Sequence, residues 1–184
     1  ISVPAPDGEN GWHVTKPVLA TISSTDGGAL LFYSLVGASG PFEPYLTPVS
    51  LNAEGDTTIW AKSINALLIE SPVDELTVHI DTIPPVILVS GVSDDTTYTA
   101  DVTPVVDITG ATETTVTLTR NGVPVIGWTS GDPISDDGLY VLHVEAEDAA
   151  GNTAVPQTLT FTIDQTAPVI LVSGVSDDTT YTAD

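Results

Sequence analysis

A stretch of seventeen residues occurs twice in this chain, and no other feature constrains the fold as strongly. Residues 85–101 and residues 168–184 both read PVILVSGVSDDTTYTAD, so Pro168 begins the second copy as Pro85 begins the first. The same offset aligns LTVHID at 76–81 with LTFTID at 159–164. A fixed period of this length predicts an array of small, similar structural units.

The repeat divides the chain into three predicted segments. The first unit covers residues 1–81 and the second unit covers residues 82–164. Residues 165–184 are predicted to be the opening strand of a further repeat, without the rest of that domain. Each of the two units is small for a domain, but it is long enough to bury one hydrophobic core.

The hydrophobic pattern within a unit has a period of two residues, which is typical of β-strands. Apolar and polar residues alternate through 114–120, 139–147 and 159–163. Asn121-Gly122 lies between two such runs and predicts a two-residue hairpin turn. About seven short strands per unit, with a turn at roughly every tenth residue, predict an all-β fold of tandem antiparallel β-sandwiches.

The charge of the chain excludes several classes of partner. It carries 25 Asp or Glu residues against only three Lys or Arg, so its net charge is −22. Nucleic-acid binding needs Lys and Arg to displace counterions from phosphates, and an anionic membrane surface would repel this chain. No apolar run approaches the roughly 18 residues of a membrane span. We therefore expect no nucleic-acid binding and no membrane insertion, and the lack of Cys excludes disulfides.

The second unit resembles a known family. Residues 138–152 read GLYVLHVEAEDAAGN, and residues 161–168 read FTIDQTAP. An aromatic strand, then D-x-A-G-N, then F-T-I-D-x-T-x-P, closely resembles the immunoglobulin-like (Ig-like) repeats of large bacterial surface proteins and adhesins. The resemblance covers the whole second unit. It implies tandem Ig-like or fibronectin-III-like sandwiches on the outside of a bacterial cell.

The first unit looks like a divergent relative of the same class. NGW at 10–12, YSL at 33–35 and SINA at 63–66 are similar to motifs of other surface-protein domains. Leu68-Ile69 stands where the Gly-Asn of the D-x-A-G-N loop is expected. The loop chemistry of the first unit therefore need not follow the family.

Many of the acidic residues are predicted to lie at the two ends of each sandwich, where units meet. In a seven-stranded sandwich, alternate loops gather at the end where the chain comes in and at the end where it leaves. The incoming end of the second unit is predicted to hold Asp81, Glu113, Asp148 and Asn152. The outgoing ends are predicted to hold Glu54 and Asp56 in the first unit, and Asp94, Asp95, Asp136, Asp137 and Asp164 in the second.

Oxygen ligands at this density suit Ca²⁺, which binds carboxylates, backbone carbonyls and Asn. The resemblance implies the same role, because calcium at the joints of giant adhesins of this family stiffens the rod. The residues it points to are Asp81, Asp164, Asp148 and Asn152. Asp and Asn also cap turns by bonding to their own backbone, and solvated acids keep a protein soluble. Both interpretations are open from the sequence alone.

Enzyme chemistry finds little support. His13, His79 and His143 are scattered, and His143 lies on a predicted strand as a partly buried structural residue. Asp136 and Asp137 are adjacent, whereas a glycosidase needs two carboxylates that face each other across a cleft. We therefore predict a non-catalytic protein.

The tryptophans leave a second class of function open. Trp12 and Trp128 could stack on sugars, in which case the protein would be a carbohydrate-binding module that recognises glycans. The favoured alternative is that the tryptophans belong to the core. Trp60 lies in the same alternating strand as Ile59 and Ala61, and it is expected between the sheets.

The segment at 165–184 has two explanations. Its apolar residues are Val169, Ile170, Leu171 and Val172. The first unit is short at its front, where Ile1 aligns opposite Leu88. Either a longer array is cut at an arbitrary point, or the segment is donated as a β-strand to a neighbouring subunit and builds a head-to-tail filament.

The sequence thus predicts a structural segment of a bacterial extracellular surface protein, such as an adhesin stalk, a fibre or a surface layer. Short linkers with Pro at 83–85 and 166–168 restrict the joints, and calcium is the candidate ion that would stiffen them further. The expected partners are neighbouring copies or adjacent repeats.

Overall fold

The computed structural model describes residues 1–173, 177–180 and 182 of the chain. The described residues form seven β-strands in each unit. The strands of the first unit are β1 (Trp12–His13), β2 (Val18–Ala20), β3 (Leu30–Ser34), β4 (Glu43–Pro44), β5 (Val49–Leu51), β6 (Gly55–Ile64) and β7 (Asp74–Ile80). Those of the second are β8 (Val86–Ser90), β9 (Thr96–Tyr98), β10 (Val105–Thr109), β11 (Glu113–Arg120), β12 (Val123–Pro124), β13 (Gly138–Glu147) and β14 (Gln157–Ile163). Within this part of the chain, no helix has the length and apolar character needed to cross a membrane.

The first unit consists of a five-stranded sheet and a two-stranded sheet. The larger sheet has the order β1-β7-β6-β3-β4, and the smaller sheet pairs β2 with β5. β1 runs parallel to β7, and the other pairs are antiparallel. Val18 and Leu51 of the smaller sheet pack with Ile59, Ala61 and Ile80 of the larger one in a common core.

The second unit repeats this arrangement with a core of its own. Its five-stranded sheet has the order β12-β11-β13-β14-β9, and β8 pairs with β10 in the smaller sheet. Leu142 and Val144 of β13 are fully buried, and the ring of Tyr140 stacks on Phe161 of β14 at 5.3 Å between centroids. The Tyr140 hydroxyl donates to the Asp136 carbonyl and fixes the corner before β13. The all-β sandwich predicted from the period-two pattern is confirmed.

The predicted hairpin turn at Asn121-Gly122 connects β11 to β12. Both residues have positive φ, at 50° and 79°, as the favoured two-residue hairpin turns require. The Asn121 side-chain carbonyl also accepts a hydrogen bond from the Leu139 amide at 2.9 Å.

The prediction that Trp60 lies between the sheets is wrong. Ile59 and Ala61 face the core, and successive side chains of a strand point to opposite faces. Trp60 therefore lies on the outer face of β6, where its indole N–H donates to the Glu75 carboxylate at 2.8 Å.

The prediction that the first unit is short at its front is also wrong. Ser2 forms a bridge to Thr21, just beyond the end of β2, and its neighbours Ile1 and Val3 pack against the first core.

The pairing of the parallel strands β1 and β9 shows how the first residues of the two units align, and this alignment differs from the predicted one. Trp12 pairs with His79, and Thr97 pairs with Thr162, which is the counterpart of His79 in the second unit. Trp12 thus corresponds to Thr97. Ile1 corresponds to Val86 at the start of β8, rather than to Leu88.

The apolar segment after the second unit is exposed. Val169, Ile170, Leu171 and Val172 have exposed fractions of 91%, 89%, 89% and 71%. The rest of the predicted strand and turn at 174–176, 181 and 183–184 lies outside the described residues.

Candidate functional site at the joint between the units

The loop that joins β13 to β14 is held together by Asp148, which is only 7% exposed. The carboxylate of Asp148 accepts hydrogen bonds from the backbone amides of Ala150 and Asn152 and from the Asn152 side-chain amide, each at 2.9 Å. Burial acts to raise the pKa of Asp148, but the hydrogen bonds from Asn152 and Ala150 outweigh it, so the pKa is lowered. The carboxylate of the D-x-A-G-N motif therefore organises its own loop.

The organised loop contacts the first unit through three hydrogen bonds. The Asn152 side-chain amide donates to the Asp81 carbonyl at 2.9 Å. The Glu9 backbone amide donates to the Ala150 carbonyl, and the Asn10 side-chain amide donates to the Ala149 carbonyl, each at 2.8 Å. We call this contact the joint. Asp81 participates through its backbone carbonyl.

The joint is closely packed at two glycines. A Cβ atom on Gly8 would lie 2.5 Å from the Ala150 carbonyl oxygen, which is too close for any side chain without movement. Gly151 has φ of 90°, and a Cβ atom there would lie 3.0 Å from Cγ of Glu9. The turn at residues 8–11 is thus part of the site. Sequence reasoning missed this role, although the Asn10-Gly11 pair is a strong turn signal.

The linker that leaves the first unit is fixed by two carboxylates. Asp81 accepts a hydrogen bond from the Ile83 amide at 3.1 Å. Glu54 accepts from the amide and the hydroxyl of Thr82, at 2.9 and 2.7 Å, and pairs with the Lys16 ammonium. The hydrogen bonds from Lys16 and then from Thr82 lower the pKa of Glu54 to about 2. Glu54 is therefore ionised at neutral pH and ties the linker to the first unit.

The same arrangement occurs again where the chain leaves the second unit. Asp164 accepts a hydrogen bond from the Thr166 amide at 3.2 Å. Asp137 accepts from the Gln165 amide at 2.7 Å and from the Thr166 hydroxyl, and these two bonds, the hydroxyl first, lower its pKa. Asp137 and Asp164 thus correspond to Glu54 and Asp81. The two units share a linker geometry as well as a fold.

The other acidic residues that were predicted as metal ligands do not form a cluster, and most of them contact a His, an Arg or a backbone amide instead. The Asp56 carboxylate contacts His79 Nδ1 at 2.6 Å, and the Asp136 carboxylate pairs with Arg120. Asp94 accepts from the Thr160 amide, and the Asp95 amide donates to the Thr160 carbonyl, each at 2.7 Å. Glu113 begins β11 and is paired in register with Glu147. Among residues 1–173, 177–180 and 182, no three Asp, Glu or His side chains come together as a metal site.

Trp12 and Trp128 lie in different environments. The Trp12 ring lies 5.4 Å from the His79 ring on the first unit. Trp128 packs against the second core, and its indole N–H donates to the Asp132 carbonyl at 3.2 Å. Trp128 also lines a cavity of 560 Å³ together with Arg120 and Asp136. Glycan binding at these residues stays a prediction. His143 is half-buried, and its Nδ1 contacts the Thr158 hydroxyl.

Comparison with known proteins identifies the second unit. Residues 88–165 match the family described as the bacterial Ig-like domain. The second unit is a bacterial Ig-like domain. Such Ig-like domains commonly occur in extracellular surface proteins, and domains of this type are typically non-catalytic. A search of curated proteins finds no match to the chain.

Two solved structures are similar to this chain. One contains the fibronectin(III)-like modules of CbhA from Clostridium thermocellum, with 14% identity, 88% of this chain and 93% of that chain covered, and a TM-score of 0.32. The other contains the FN1–FN3 domains of chicken CNTN1, with 10% identity, 88% and 66% covered, and a TM-score of 0.26.

Proposed function

We propose that this chain is a non-catalytic structural segment of a bacterial extracellular surface protein, in which Ig-like units stack end to end at stiff joints. The observation that carries the proposal is the joint itself. Three hydrogen bonds connect the loop at 148–152 to the turn at 8–11 and to Asp81. Because these contacts join residues that precede the linker to a loop of the second unit, bending at residues 82–85 would break them.

The repeat supports extension of this arrangement along an array. Asp137 and Asp164 hold the outgoing linker of the second unit as Glu54 and Asp81 hold that of the first. A following unit with its own D-x-A-G-N loop would therefore follow a linker that leaves the second unit in the same way as the linker at 82–85 leaves the first. In a stalk or fibre, the function is to set spacing and stiffness.

The stiffness of the joint can be tested by removing one of its hydrogen bonds without straining the backbone. Asn10 has φ of 51°, which Gly adopts readily, so Asn10→Gly removes the side-chain amide alone. We expect the free energy that holds the two units together at the joint to fall by about 0.5–1.5 kcal/mol. The distribution of orientations between the units should become broader. Asn121→Gly is the matched control, because Asn121 has φ of 50° and its hydrogen bond lies within the second unit.

Pulsed electron paramagnetic resonance between two spin labels measures that distribution. The chain has no Cys, so labels can be placed by Leu46→Cys and Ile126→Cys, which are 87% and 90% exposed. The unmodified joint should give a narrow distance distribution that Asn10→Gly broadens and Asn121→Gly leaves unchanged. A distribution in the parent chain as broad as that of a flexible linker would refute the stiff joint.

Calcium at the joints is a separate proposal. Its support is that Asp81 and Asp148 lie at the joint and that Asp137 and Asp164 flank the next linker. The hydrogen bonds described above also explain these positions without a metal ion. If calcium binds at the joints, the melting temperature of the protein should rise when CaCl₂ is added and fall when EDTA is added. An unchanged melting temperature would remove calcium from the proposal.

A further inference from the structure

Two open cavities of the second unit share Trp128 as a wall. The first cavity measures 560 Å³, and Arg120 and Asp136 are among its lining residues. The second cavity measures 430 Å³, and it is lined by Val106 and Val116 among others. Ligand sites in proteins have volumes of about 300–1,000 Å³, so each cavity has room for a small ligand. Because Trp128 borders both cavities, one extended molecule can cross the Trp128 ring and occupy the two.

The Trp128 ring is fixed in its position before any ligand binds. Its indole N–H donates to the Asp132 carbonyl at 3.2 Å, and the ring packs against the second core. The backbone amide and the hydroxyl of Thr129 donate to the Asp132 carboxylate at 2.9 and 2.8 Å, which closes the turn that carries Trp128. A ring that is already ordered loses little conformational entropy when a ligand stacks on it.

The turn with Trp128 belongs to a connection that is longer than its counterpart in the first unit. Residues 45–48 join β4 to β5, whereas residues 125–133 lie between β12 and the bridge of Ile134 to Val102. The shorter connection contains no Trp. Loops on a rigid scaffold often carry binding residues, so we expect the site in the second unit alone.

The site has no net charge, although the chain as a whole carries a charge of −22. Among the described residues that line the two cavities, the charged ones are Arg120 and Asp136, and they form an ion pair with each other. An anionic ligand would be repelled by the other carboxylates of the protein. A cationic ligand would find the one carboxylate of the site already paired. The charge of the site therefore favours a neutral ligand.

The polar groups of the site suit the hydroxyl groups of a sugar. Arg120 has five N–H donors and Asp136 has two acceptor oxygens, and the pair between them uses only part of this capacity. Two adjacent hydroxyls of a sugar ring can donate to the carboxylate and accept from the guanidinium at the same time. Thr114 and Ser130 add hydroxyls in the second cavity. The C–H face of a sugar ring is apolar and can stack on the indole of Trp128.

A joint of the kind described above does not use this site. The first unit forms its joint through the turn at 8–11 and through Asp81, whose counterparts in the second unit are residues 93–96 and Asp164. None of these counterparts lines either cavity. The joint contacts of a following unit would therefore leave the site open.

We propose that the second unit binds a neutral oligosaccharide across Trp128. One sugar unit binds Arg120 and Asp136 and stacks on the indole, and the chain of sugars continues into the cavity beside Val106 and Val116. This binding goes beyond the stiff joint and does not depend on it.

Nuclear magnetic resonance of the indole N–H groups tests this binding on the full chain. The chain has three Trp residues, and loss of one signal in Trp128→Phe identifies the signal of Trp128. The probes are glucose, galactose and neutral cello-, malto- and galacto-oligosaccharides of increasing length, each added to about 10 mM to detect dissociation constants near 1 mM. The Trp128 signal should shift with at least one series. In that series the dissociation constant should fall about tenfold from the monosaccharide to the longest oligosaccharide, because both cavities are then filled.

Two variants separate a loss of sugar binding from a loss of folding. Asp136→Asn keeps the backbone carbonyl that accepts from the Tyr140 hydroxyl and changes only an exposed carboxylate. It should weaken binding about tenfold or more, because hydrogen bonds to charged groups are the stronger ones. Trp128→Phe should also weaken binding. Trp12→Phe is its matched control, because Trp12 lies beside His79 on the first unit, and it should bind the sugar like the parent chain.

Three results would overturn the proposal. The first is a Trp128 signal that shifts with none of the probes. The second is equal binding of oligogalacturonates, the acidic counterparts of the galacto-oligosaccharides, because the neutral character of the site would then play no part. The third is binding that Trp12→Phe weakens and that Trp128→Phe and Asp136→Asn leave unchanged, which would assign the sugar to the first unit.

Discussion

The change Phe161→Ala should lower the free energy of unfolding of the second unit by about 3–5 kcal/mol, which is typical of a buried Phe. Phe161 is 1% exposed. Its ring stacks on that of Tyr140 and lies nearly perpendicular to that of Tyr98, with 6.2 Å between the Phe161 and Tyr98 centroids, so the smaller side chain leaves a cavity between two aromatic rings. Scanning calorimetry should show the transition of the second unit at a lower temperature and that of the first unit nearly unchanged.

The same substitution at Phe42 is the matched control. Phe42 is only partly buried, in the first unit, where the Lys62 ammonium lies 4.9 Å from its ring centre. Phe42→Ala should therefore lower the free energy of unfolding by less than Phe161→Ala does, and it should affect the first unit alone. If Phe161→Ala shifts both transitions equally, the two cores do not unfold separately, and the description of the chain as two independent units fails.

The change Asp148→Ala should cost at least about 2 kcal/mol and should also loosen the joint. It leaves the backbone amides of Ala150 and Asn152 without their acceptor in a partly buried loop, and it removes one of the two acceptors of the Asn152 side-chain amide. We expect a lower melting temperature of the second unit and faster hydrogen exchange at Ala150 and Asn152. Asp26→Ala is the control, because Asp26 accepts one hydrogen bond from Gly28 in an exposed loop.

The pH dependence of stability gives an independent test of Asp148. The pKa of Asp148 in the folded protein is lowered from the ordinary value of 3.8. The contribution of its ionised carboxylate to the free energy of unfolding is therefore fully present above pH 3.8. That contribution is lost as the pH falls below 3.8 towards the folded-state pKa. The stability difference between the parent chain and Asp148→Ala should therefore shrink over that acidic range. A difference that stays constant there would contradict a role for the ionised carboxylate.

The repeated linker connects these predictions to the proposed function. Glu54 and Asp137 occupy corresponding positions of the two units, and each holds its linker through hydrogen bonds from a backbone amide and a Thr hydroxyl. A segment that repeats its connections as well as its domains can keep a constant geometry from unit to unit. This regularity is what a stalk or fibre requires.

The sequence by itself determined the repeat, the all-β fold and the hairpin at Asn121-Gly122, because these follow from local patterns. Alternation of apolar residues sets which face of a strand is buried, and Asn-Gly favours positive φ. The sequence also indicated the loop at 148–152, whose letters D-x-A-G-N resemble a known motif. It misplaced Trp60, because a buried Trp is expected between the sheets of such a fold, whereas the alternation with Ile59 and Ala61 puts this residue on the outer face.

Only the tertiary structure decided what the acidic residues contact. Asp148 could ligate a metal or cap its own loop, and the structure shows its carboxylate bound by three donors of that loop. The partners Glu9 and Asn10 lie in the other unit, far away in sequence, so no local pattern could connect them to Ala149 and Ala150. Contacts between distant segments arise from packing, and packing is fixed only when the whole chain is folded.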